Sequence, residues 1–473
     1  MSEKKTLDKS VFDDLMSEAE HWEINTGGET IHAKRMPGRW RLLKWITSAV
    51  WLSLFLGPYF RFGDRQAVLF DIPHRQFHIW NSTVLPQDFW MLSLVLLFFA
   101  ILMAVATAMA GRIFCGFFCF QTAWTDVFTW LEEKLEGNPQ RRRAMDKAPW
   151  TVKKFSIKVI KHTLWLIISF LTGFSFVAWF TDAYQLWSDV FTLDAGTTAY
   201  VIIATFMAGT YFLAGFLREQ NCFWLCPYAR IQSVMIDNTS LIPTYDFKRG
   251  EPRNRVQRTK DKDAAGDCVD CKLCIAVCPT GIDIRNGSQE GCIMCGLCLD
   301  ACDDIMDKLD RPRGLIRFES LDGMEGKDHG ELLKRPRVWL YLAVLVSSVL
   351  GIVYGFSTMD AVELKVIHSR LPMYVLQSDG SVQNKYTLKV LNKMNNDLEV
   401  KVSATGPEGL VLVGVDKPVN ARHGNVTPRV VFVRIPRENL TQDSMPILFS
   451  IEGIDVNGEF YSAERKSIFI GPN

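Results

Sequence analysis

The sequence has little net charge, few histidines, and no cysteine in its last quarter. Its formal net charge is +1 over 473 residues, which gives no reason to expect nucleic acid as a partner. Its 8 histidines do not form pairs inside the long apolar stretches, so a haem held between two membrane helices is not expected. Residues 360–473 contain no cysteine, so this segment needs no disulfide to fold.

Eight of the twelve cysteines instead lie between residues 268 and 302, in two runs with the same spacing. Each run reads Cys-x2-Cys-x2-Cys-x3-Cys, the pattern of bacterial ferredoxins with two [4Fe–4S] clusters. Structural zinc usually takes separate Cys-x2-Cys pairs. In the ferredoxin pattern, three cysteines of one run and the last of the other hold each cluster. The spacing therefore predicts electron transfer, with one cluster on Cys268, Cys271, Cys274 and Cys302 and the other on Cys292, Cys295, Cys298 and Cys278.

Five apolar stretches with almost no charge predict membrane helices, because crossing the hydrocarbon core takes about 20 residues. They cover residues 45–60, 89–110, 163–180, 195–217 and 338–359. The first is short unless it begins at Leu42 and the Lys44 side chain reaches the interface. We therefore expect five transmembrane helices in contact with the lipid bilayer.

Lysine and arginine counts predict the orientation, because cytoplasmic loops carry more of these residues. Residues 1–44 carry eight and residues 111–158 carry nine, whereas residues 61–88 carry three. We expect the N-terminus, the loop 111–158 and the segment 218–337 in the cytoplasm and residues 360–473 outside; in a Gram-negative bacterium this means the inner membrane, with residues 360–473 in the periplasm. The polar first forty residues predict no cleavable signal peptide. All twelve cysteines then face the reducing compartment, where thiols stay free.

The other four cysteines form two Cys-x3-Cys pairs, each a few residues after a predicted membrane helix. The first motif contains Cys115 and Cys119, and the second contains Cys222 and Cys226. Their matching positions suggest an internal repeat. On a continuous helix such pairs have Cβ atoms about 5–6 Å apart, which favours joint metal binding over a disulfide. Pro227 predicts a break at Cys226 and a new helix after it. Thiolates prefer Cu(I), zinc or iron–sulfur, so we predict a soft-metal or dithiol redox site; inert buried cysteines are the alternative.

Residues 360–473 read as short, partly alternating β-strands with few long apolar runs. The strands are predicted at 362–368, 385–392, 398–404, 410–415, 429–435, 446–452 and 459–470, with turns at Asp379-Gly380 and Asn457-Gly458. This number of strands predicts an immunoglobulin-like sandwich without the inter-sheet disulfide. The tail offers no catalytic constellation, so partner docking is its expected role.

The predicted fold is that of a multidomain membrane protein with three kinds of domain. It combines an α-helical bundle of five transmembrane helices, an α+β dicluster ferredoxin-like insert and an all-β immunoglobulin-like C-terminal sandwich. The predicted segments are a cytoplasmic N-terminus at 1–40, helices one to four with both Cys-x3-Cys motifs at 41–240, the ferredoxin-like domain at 241–335, the fifth helix at 336–359 and the periplasmic domain at 360–473.

From about Arg39 to the C-terminus the chain resembles the cytochrome c oxidase accessory protein family, called CcoG, FixG or RdxA. The resemblance is carried by residues 70–78, both Cys-x3-Cys pairs, residues 249–252 and the double ferredoxin run. It implies reduction of Cu(II) to Cu(I) for assembly of cbb3-type cytochrome oxidase. The implied copper-binding and catalytic residues are Cys115, Cys119, Cys222 and Cys226. The chain departs from the family pattern at Phe120 and Asp303, where proline is usual.

The resemblance also implies partners, namely oxidase subunits or copper chaperones or transporters, and an electron donor that the sequence does not identify. Two other functions stay open. One is an electron-transfer subunit of a quinol-linked respiratory system, whose members share the first four spans but lack the fifth helix and the sandwich. The other is a non-catalytic assembly scaffold or redox sensor, whose clusters only report oxidation state.

Overall fold

The computed structural model describes residues 31–63, 65–80, 82–253, 266–326, 336–358, 360–394, 396–415, 417–454 and 458–472. The chain divides into two compact units. The first unit contains the described residues up to Gly57, together with Val95–Ala178 and Leu186–Val349. The second unit contains Pro58–Leu94, Trp179–Gln185 and the described residues from Leu350 onward. The chain therefore passes from one unit to the other five times along its length.

Helices dominate the first unit. The α-helices of the described chain are α1 Arg39–Ser48, α2 Leu52–Leu56, α3 Phe89–Ala110, α4 Ile113–Phe117, α5 Phe120–Glu136, α6 Pro139–Lys147, α7 Val152–Ala178, α8 Ala183–Thr192, α9 Thr197–Phe212, α10 Pro227–Met235, α11 Phe247–Gly250, α12 Leu273–Ala276, α13 Leu297–Lys308, α14 Leu321–Glu325 and α15 Pro336–Ser357. Two single π-helical turns, Leu213–Leu217 and Asn221–Leu225, separate α9 from α10. Such turns are rare and often mark functional sites.

Four of the described helices are long and apolar enough to cross a membrane. They are Phe89–Ala110, Val152–Ala178, Thr197–Leu217 and Val338–Ser357. They coincide with the last four of the five predicted stretches, and they indicate a membrane protein.

The first predicted span is not one long α-helix, because a 3-10 turn at Ala49–Trp51 separates α1 from α2. The Thr47 hydroxyl donates to the carbonyl of Phe117 at 3.1 Å, and Trp51 Nε1 donates to the carbonyl of Phe118 at 2.9 Å. Thr47 also bonds back to carbonyls one turn earlier in α1, which bends helices. In the described part of the chain four helices, rather than five, meet the length for a span, and the five-helix bundle stays a prediction.

The two cysteine runs lie between a pair of short strands. β6 (Ile242–Tyr245) and β7 (Ile316–Glu319) pair in antiparallel fashion and bring the two ends of the cysteine segment together. Buried apolar side chains of α12 and α13, such as Ile275 and Ile305, pack with Ile316 into one core. The cluster segment is therefore a closed α+β insert.

The second unit is built mainly of antiparallel sheets. Its strands are β1 Arg61–Phe62, β2 Arg65–Gln66, β3 Val68–Asp71, β4 Gln76–Ile79, β5 Ser82–Val84, β8 Val362–His368, β9 Val375–Leu376, β10 Ser381–Asn392, β11 Leu398–Thr405, β12 Val411–Val413, β13 Val419–Ala421, β14 Val426–Pro436, β15 Ser444–Ile454 and β16 Phe460–Ile470. One sheet has the order β12-β14-β10-β8 with β9 beside β10, and the facing sheet has the order β13-β11-β15-β16.

The sandwich core follows from alternation along the strands. Alternate residues of β10, including Val382, Tyr386 and Leu388, are fully buried. The Tyr386 hydroxyl donates to the carbonyl of Ile468, on a strand of the other sheet, at 2.7 Å. All seven predicted strands are present, and β8 has the predicted bounds; the sequence missed the short β9 and β13. Gly380 has a φ of 82° in the predicted Asp379-Gly380 turn, whereas Asn457 lies outside the described residues.

The loop between the first two predicted spans belongs to the same unit as the sandwich. Gln76 Nε2 on β4 donates to Asn425 Oδ1 at 2.9 Å. Lys393 Nζ lies 3.0 Å from Asp88 Oδ2. Two segments that are distant in the sequence therefore form one polar interface, which no local pattern predicted.

The sandwich core should tolerate truncation poorly. Leu388→Ala removes a fully buried side chain and is expected to destabilise the sandwich by about 2–5 kcal/mol. Lys385→Ala, on an exposed position of the same strand, should change stability by less than about 0.5 kcal/mol. Hydrogen exchange of β10 and β14 amides in the full-length protein measures both; equal protection in the two variants would contradict the packing.

Candidate iron–sulfur and thiol site

The two cysteine runs adopt the same backbone conformation. The residues just before and just after the second cysteine of each run have positive φ: Asp270 and Lys272 in the first, Met294 and Gly296 in the second. These angles are 49°, 54°, 55° and 73° in the same order. Three of the four residues are not glycine, and such strained conformations cluster at binding sites. Each run therefore forms the same tight loop.

A cavity with an empty volume of about 370 Å³ lies inside the first loop. Its lining contains the four cysteines that the spacing assigns to one cluster, Cys268, Cys271, Cys274 and Cys302. Burial raises the pKa of the Cys302 thiol, and the nearby thiols of Cys271 and Cys268 raise it further. Four mutually close thiols around one space fit the donor set of a [4Fe–4S] cluster.

A matching cavity of about 350 Å³ lies inside the second loop. It is lined by the four cysteines assigned to the other cluster, Cys278, Cys292, Cys295 and Cys298, and by Cys274 of the first run. The shared Cys274 indicates that the two cavities are neighbours. The donor set again fits a [4Fe–4S] cluster, and its fourth cysteine comes from the other run.

Arg285 places a buried positive charge in the lining of the first cavity. Its guanidinium pairs with Asp270 Oδ1 at 2.6 Å and with Asp283 Oδ2 at 2.8 Å. Its charge opposes the effect of burial on the thiol pKa of Cys271 and Cys274. Arg285 therefore favours negative charge at these thiols.

The two Cys-x3-Cys motifs share two backbone features, although the first cysteine lies in an α-helix in the first motif and in a π-helical turn in the second. Gly111 and Arg218, with φ of 55° and 43°, end the preceding helix in each copy, four residues before the first cysteine. The N–H of Cys119 donates to the carbonyl of Phe114 at 2.9 Å, and the N–H of Cys226 donates to the carbonyl of Asn221 at 2.9 Å. The internal repeat is therefore present in the backbone.

In each motif the second cysteine lies outside the helix that holds the first. Cys119 and Cys226 have extended backbones and each immediately precedes a new helix, α5 and α10 respectively. The expected break at Pro227 is present. Phe120 starts α5 in the equivalent place, so the missing proline changes little. The conditional expectation that each pair shares one helix face is wrong, because a wide turn separates the two residues.

The four membrane-edge thiols are close neighbours. Burial raises the pKa of the Cys222 thiol to about 12, and the thiols of Cys119, Cys115 and Cys226 act in the same direction. Burial likewise raises the pKa of Cys115 to about 11. Both thiols are therefore protonated near pH 7 in the absence of a metal, and binding a soft metal must displace those protons.

Among the residues that the structure describes, no three His, Cys, Asp or Glu side chains are grouped as ligands of one metal ion. A four-iron core stands between its thiolates, so the cluster cysteines need not converge on a point. The thiols of Cys115, Cys119, Cys222 and Cys226 are a different case, because the ligands of a single metal ion must converge on one point. As the side chains stand, at most two of them could bind the same copper ion.

Both thiol motifs pack directly against the second cluster loop. A Cβ atom added at Gly116 would lie 2.7 Å from the carbonyl oxygen of Ile293 and 2.9 Å from the Cα of Cys295. A Cβ atom added at Gly291, next to Cys292, would lie 2.1 Å from the ring of Phe223. One loop of the ferredoxin insert is thus in contact with a residue inside each Cys-x3-Cys motif.

Arg112 lies between these thiols and the second cluster loop. It is 3% exposed, its N–H donates to the sulfur of Met294 at 2.9 Å, and its guanidinium donates to the carbonyl of Glu290. Its charge lowers the thiol pKa of Cys115, Cys222 and Cys292, opposing the larger effect of burial. One buried cation therefore acts on both groups of cysteines.

Sequence reasoning missed Arg112, Gly116 and Gln232. Gln232, on α10, accepts a hydrogen bond from the Cys115 thiol at 3.0 Å and donates to the Thr107 hydroxyl at 3.1 Å. An arginine shortly before Cys115 and a glycine directly after it were visible in the sequence. Their partners are distant in the sequence, so nothing local marked them.

Known protein families match most of the chain. The family model for a 4Fe-4S dicluster domain matches residues 217–321, and one for a 4Fe-4S binding domain matches residues 92–139. The model for the IG-like fold at the C-terminus of FixG matches residues 352–472. The match at 92–139 contains only two cysteines, Cys115 and Cys119.

Curated relatives extend over nearly the whole chain. The nitrogen fixation protein FixG of Rhizobium meliloti is 35% identical and covers 93% of this chain and 91% of its own length. Protein RdxA of Cereibacter sphaeroides is 36% identical over 83% of this chain and 86% of its own length. The crystal structure of a FixG-related protein from Vibrio parahaemolyticus, 24% identical, aligns over its whole length with 24% of this chain at a TM-score of 0.21.

The relatives, the family models and the apolar helices agree on one type of protein. The dicluster match covers the eight-cysteine segment, and the C-terminal match covers the sandwich. Four apolar helices associate the chain with a membrane. The chain belongs to the FixG/RdxA family and is a membrane-associated 4Fe–4S electron-transfer protein of that type.

Proposed function

We propose that the protein reduces Cu(II) to Cu(I) at its membrane-edge thiols, for assembly of a cbb3-type cytochrome oxidase. The observation that carries the proposal is the contact of both Cys-x3-Cys motifs with the second cluster loop, at Gly116 and Phe223. Electron-carrying and metal-binding cysteines are thereby adjacent. Copper is the substrate, and each Cu(II) ion takes up one electron to become Cu(I).

The eight ferredoxin-type cysteines are proposed as the cluster ligands in the two sets that line the two cavities. Bound clusters supply single electrons, at potentials that span roughly −700 to +450 mV in proteins. Arg112 and Arg285 place positive charge beside the second and first sets of thiols. The guanidinium groups favour extra negative charge at those thiols, which favours taking up an electron.

The thiols of Cys115, Cys119, Cys222 and Cys226 are proposed as the copper-binding residues, with no more than two of them on one copper ion in the side-chain arrangement of the described residues. Cu(I) is softer than Cu(II) and prefers thiolate, so reduction strengthens its binding to these residues. Cys115 is almost fully buried and hydrogen-bonded to Gln232, whereas the other three are partly exposed. The partly exposed thiols are therefore the ones available to receive and release copper.

The proposed topology has five crossings, with the N-terminus and clusters in the cytoplasm and the sandwich in the periplasm of the inner membrane. The loop 61–88 and residues 360–473, both predicted outside, belong to one unit, as this topology requires. Oxidase subunits or copper chaperones or transporters are the proposed partners, with the sandwich as a docking domain.

A different metal at the thiols is the second candidate. The 4Fe-4S binding model at residues 92–139 covers Cys115 and Cys119 but too few cysteines for a cluster. A third cluster would need Cys222 and Cys226 as well, and it would suit a quinol-linked electron-transfer subunit. Iron analysis separates the two: about eight irons per chain for two clusters, about twelve for three.

The thiols of the second motif should be required for copper reduction. In the Cys222→Ser/Cys226→Ser variant, we expect the rate of Cu(II)-driven oxidation of the dithionite-reduced protein to fall at least tenfold, because the metal loses thiolate ligands. Anaerobic stopped-flow absorbance at the cluster bands measures the rate. Iron content should stay unchanged. An unaltered rate would remove the copper assignment, and cluster oxidation by quinone without any copper dependence would favour the quinol-linked alternative.

Contact between the first motif and the second cluster loop should matter for the rate. Gly116→Ala places a Cβ atom against Ile293 and Cys295, so the two backbones must separate. We expect the copper-driven oxidation rate to fall at least tenfold with cluster content retained. Gly209→Ala is the matched control, since it lies on α9 with nothing within 4 Å of the added atom. Similar copper-driven oxidation rates in the two variants would argue against electron transfer through this contact.

Arg112 should tune the second cluster selectively. Arg112→Gln removes a buried charge and is expected to lower the reduction potential of that cluster by on the order of 50–100 mV. The first cluster, which lies beside Arg285, should shift much less. Arg112→Lys, which keeps the charge, should recover most of the change. Redox titration followed by electron paramagnetic resonance measures both potentials, and equal shifts of the two clusters would contradict the placement of Arg112.

A further inference from the structure

A larger cavity, the cationic cavity, lies in the first unit beside the thiols. The empty space inside its lining, including the part that is open to solvent, is about 620 Å³. It is bounded by the segment leading into α1, by α5, by the turn from Arg218 to Cys222 and by the second cluster loop. Its charged lining consists of Arg35, Arg41, Lys44, Asp126, Arg218 and Glu219.

The lining has more positive than negative charge. Asp126 is shared by Arg35, Arg41 and Lys44, whose nitrogen atoms lie 2.5, 3.0 and 3.4 Å from its carboxylate oxygens. Arg35 also reaches Glu133 at 3.4 Å, but Arg41 and Lys44 still share one carboxylate. Lys44 is only 2% exposed, so its charge is largely removed from bulk solvent. Buried charges are normally balanced, and among the described residues three cations here share the carboxylates of Asp126 and Glu133, which leaves an excess of positive charge.

Arg218 adds unused hydrogen-bond capacity. It is 4% exposed; its Nη2 donates to Glu132 Oε1 at 2.7 Å, while its buried Nη1 has no hydrogen-bond partner among the residues that the structure describes. Glu132 is shared, because the same carboxylate also pairs with Arg142 at 3.2 Å and with Lys161 at 3.1 Å, although Lys161 has a second partner in Glu136 at 2.9 Å. Arg41 Nε is a second buried donor without a partner. Buried donors are almost always satisfied, so these two point to acceptor atoms in the cavity.

The cavity reaches both groups of cysteines. Cys222 lines it on one side, and Thr280, two residues after Cys278, lines it on the other. The hydroxyl-bearing residues Thr122 and Thr125 add hydrogen-bonding groups to the lining. A bare divalent cation would be repelled by this wall, whereas an anion would be attracted.

We propose that the cationic cavity binds one small polyvalent oxyanion, a polycarboxylate or a phosphate, next to Cys222. Arginine pairs with planar carboxylate and phosphate groups through two parallel hydrogen bonds, and lysine adds a point charge. Two sources share this chemistry: a free anion, and an anionic chelate that carries Cu(II). The site does not depend on copper reduction, because a free anion alone would fill it.

Isothermal titration calorimetry of the full-length protein in detergent at low ionic strength tests the site, with citrate and inorganic phosphate as probes. We expect one anion per chain, with binding weakened by salt. Arg41→Gln/Lys44→Gln should weaken binding at least tenfold. Thr125→Val, which breaks no ion pair, should weaken it several-fold and covers the case in which the double variant misfolds. Arg39→Gln, exposed on the same helix and outside the lining, is the matched control and should bind like the wild type.

Absence of saturable binding of both probes, or wild-type binding by the well-folded cavity variants, would overturn the proposal. Titration with Cu(II)–citrate distinguishes the sources. Tighter binding of the chelate than of citrate, lost in Cys222→Ser, identifies a copper-carrying ligand; equal binding identifies the free anion. If a variant that no longer reduces copper still binds citrate, the anion site is supported independently of the copper assignment.

Discussion

The close backbone approach between Gly116 and the Ile293–Cys295 segment is the contact on which the functional site depends. Only a residue without a side chain fits there, because any Cβ atom would lie within 3 Å of the loop backbone. The short helix α4 can reach that position because Gly111 turns the chain with a positive φ. The second motif meets the same loop through Phe223 over Gly291. One loop thereby joins two thiol pairs that are distant in the sequence.

Buried charge is organised around the same region. Arg112 donates to a carbonyl of the second loop, and Arg285 pairs with two carboxylates beside the first. The carboxylate of Asp300, on α13, accepts hydrogen bonds from the backbone N–H groups of Trp40 and Arg41 at 2.9 and 3.1 Å, and so caps α1. These contacts tie the first helical segment to the helix that carries Cys298 and Cys302. An apolar interface alone would not fix this geometry, whereas directional hydrogen bonds do.

Several features could be predicted from local pattern. The apolar length of α3 and the alternation of β8 yielded their bounds to the residue, because hydrophobic periodicity is a local property. The break at Cys226 followed from Pro227. Other features depended on residues outside the local sequence. The first predicted span is interrupted where its Thr47 and Trp51 donors bind the first thiol motif. Cys115 and Cys119 are separated by the end of α4, where Gly116 packs on the backbone of the cluster loop.

The sequence by itself determined the 4Fe–4S chemistry of the ferredoxin-type cysteines, the four long apolar helices and the sandwich, because ligand spacing, apolar length and alternation are patterns within short segments. Only the tertiary structure decided which cysteines are neighbours across motifs, that Arg112 faces two of these groups, and that a cationic cavity lies beside Cys222. Those outcomes depend on contacts between residues that are far apart along the chain. Such contacts arise from the packing of whole helices and loops, and no short segment of the chain carries them.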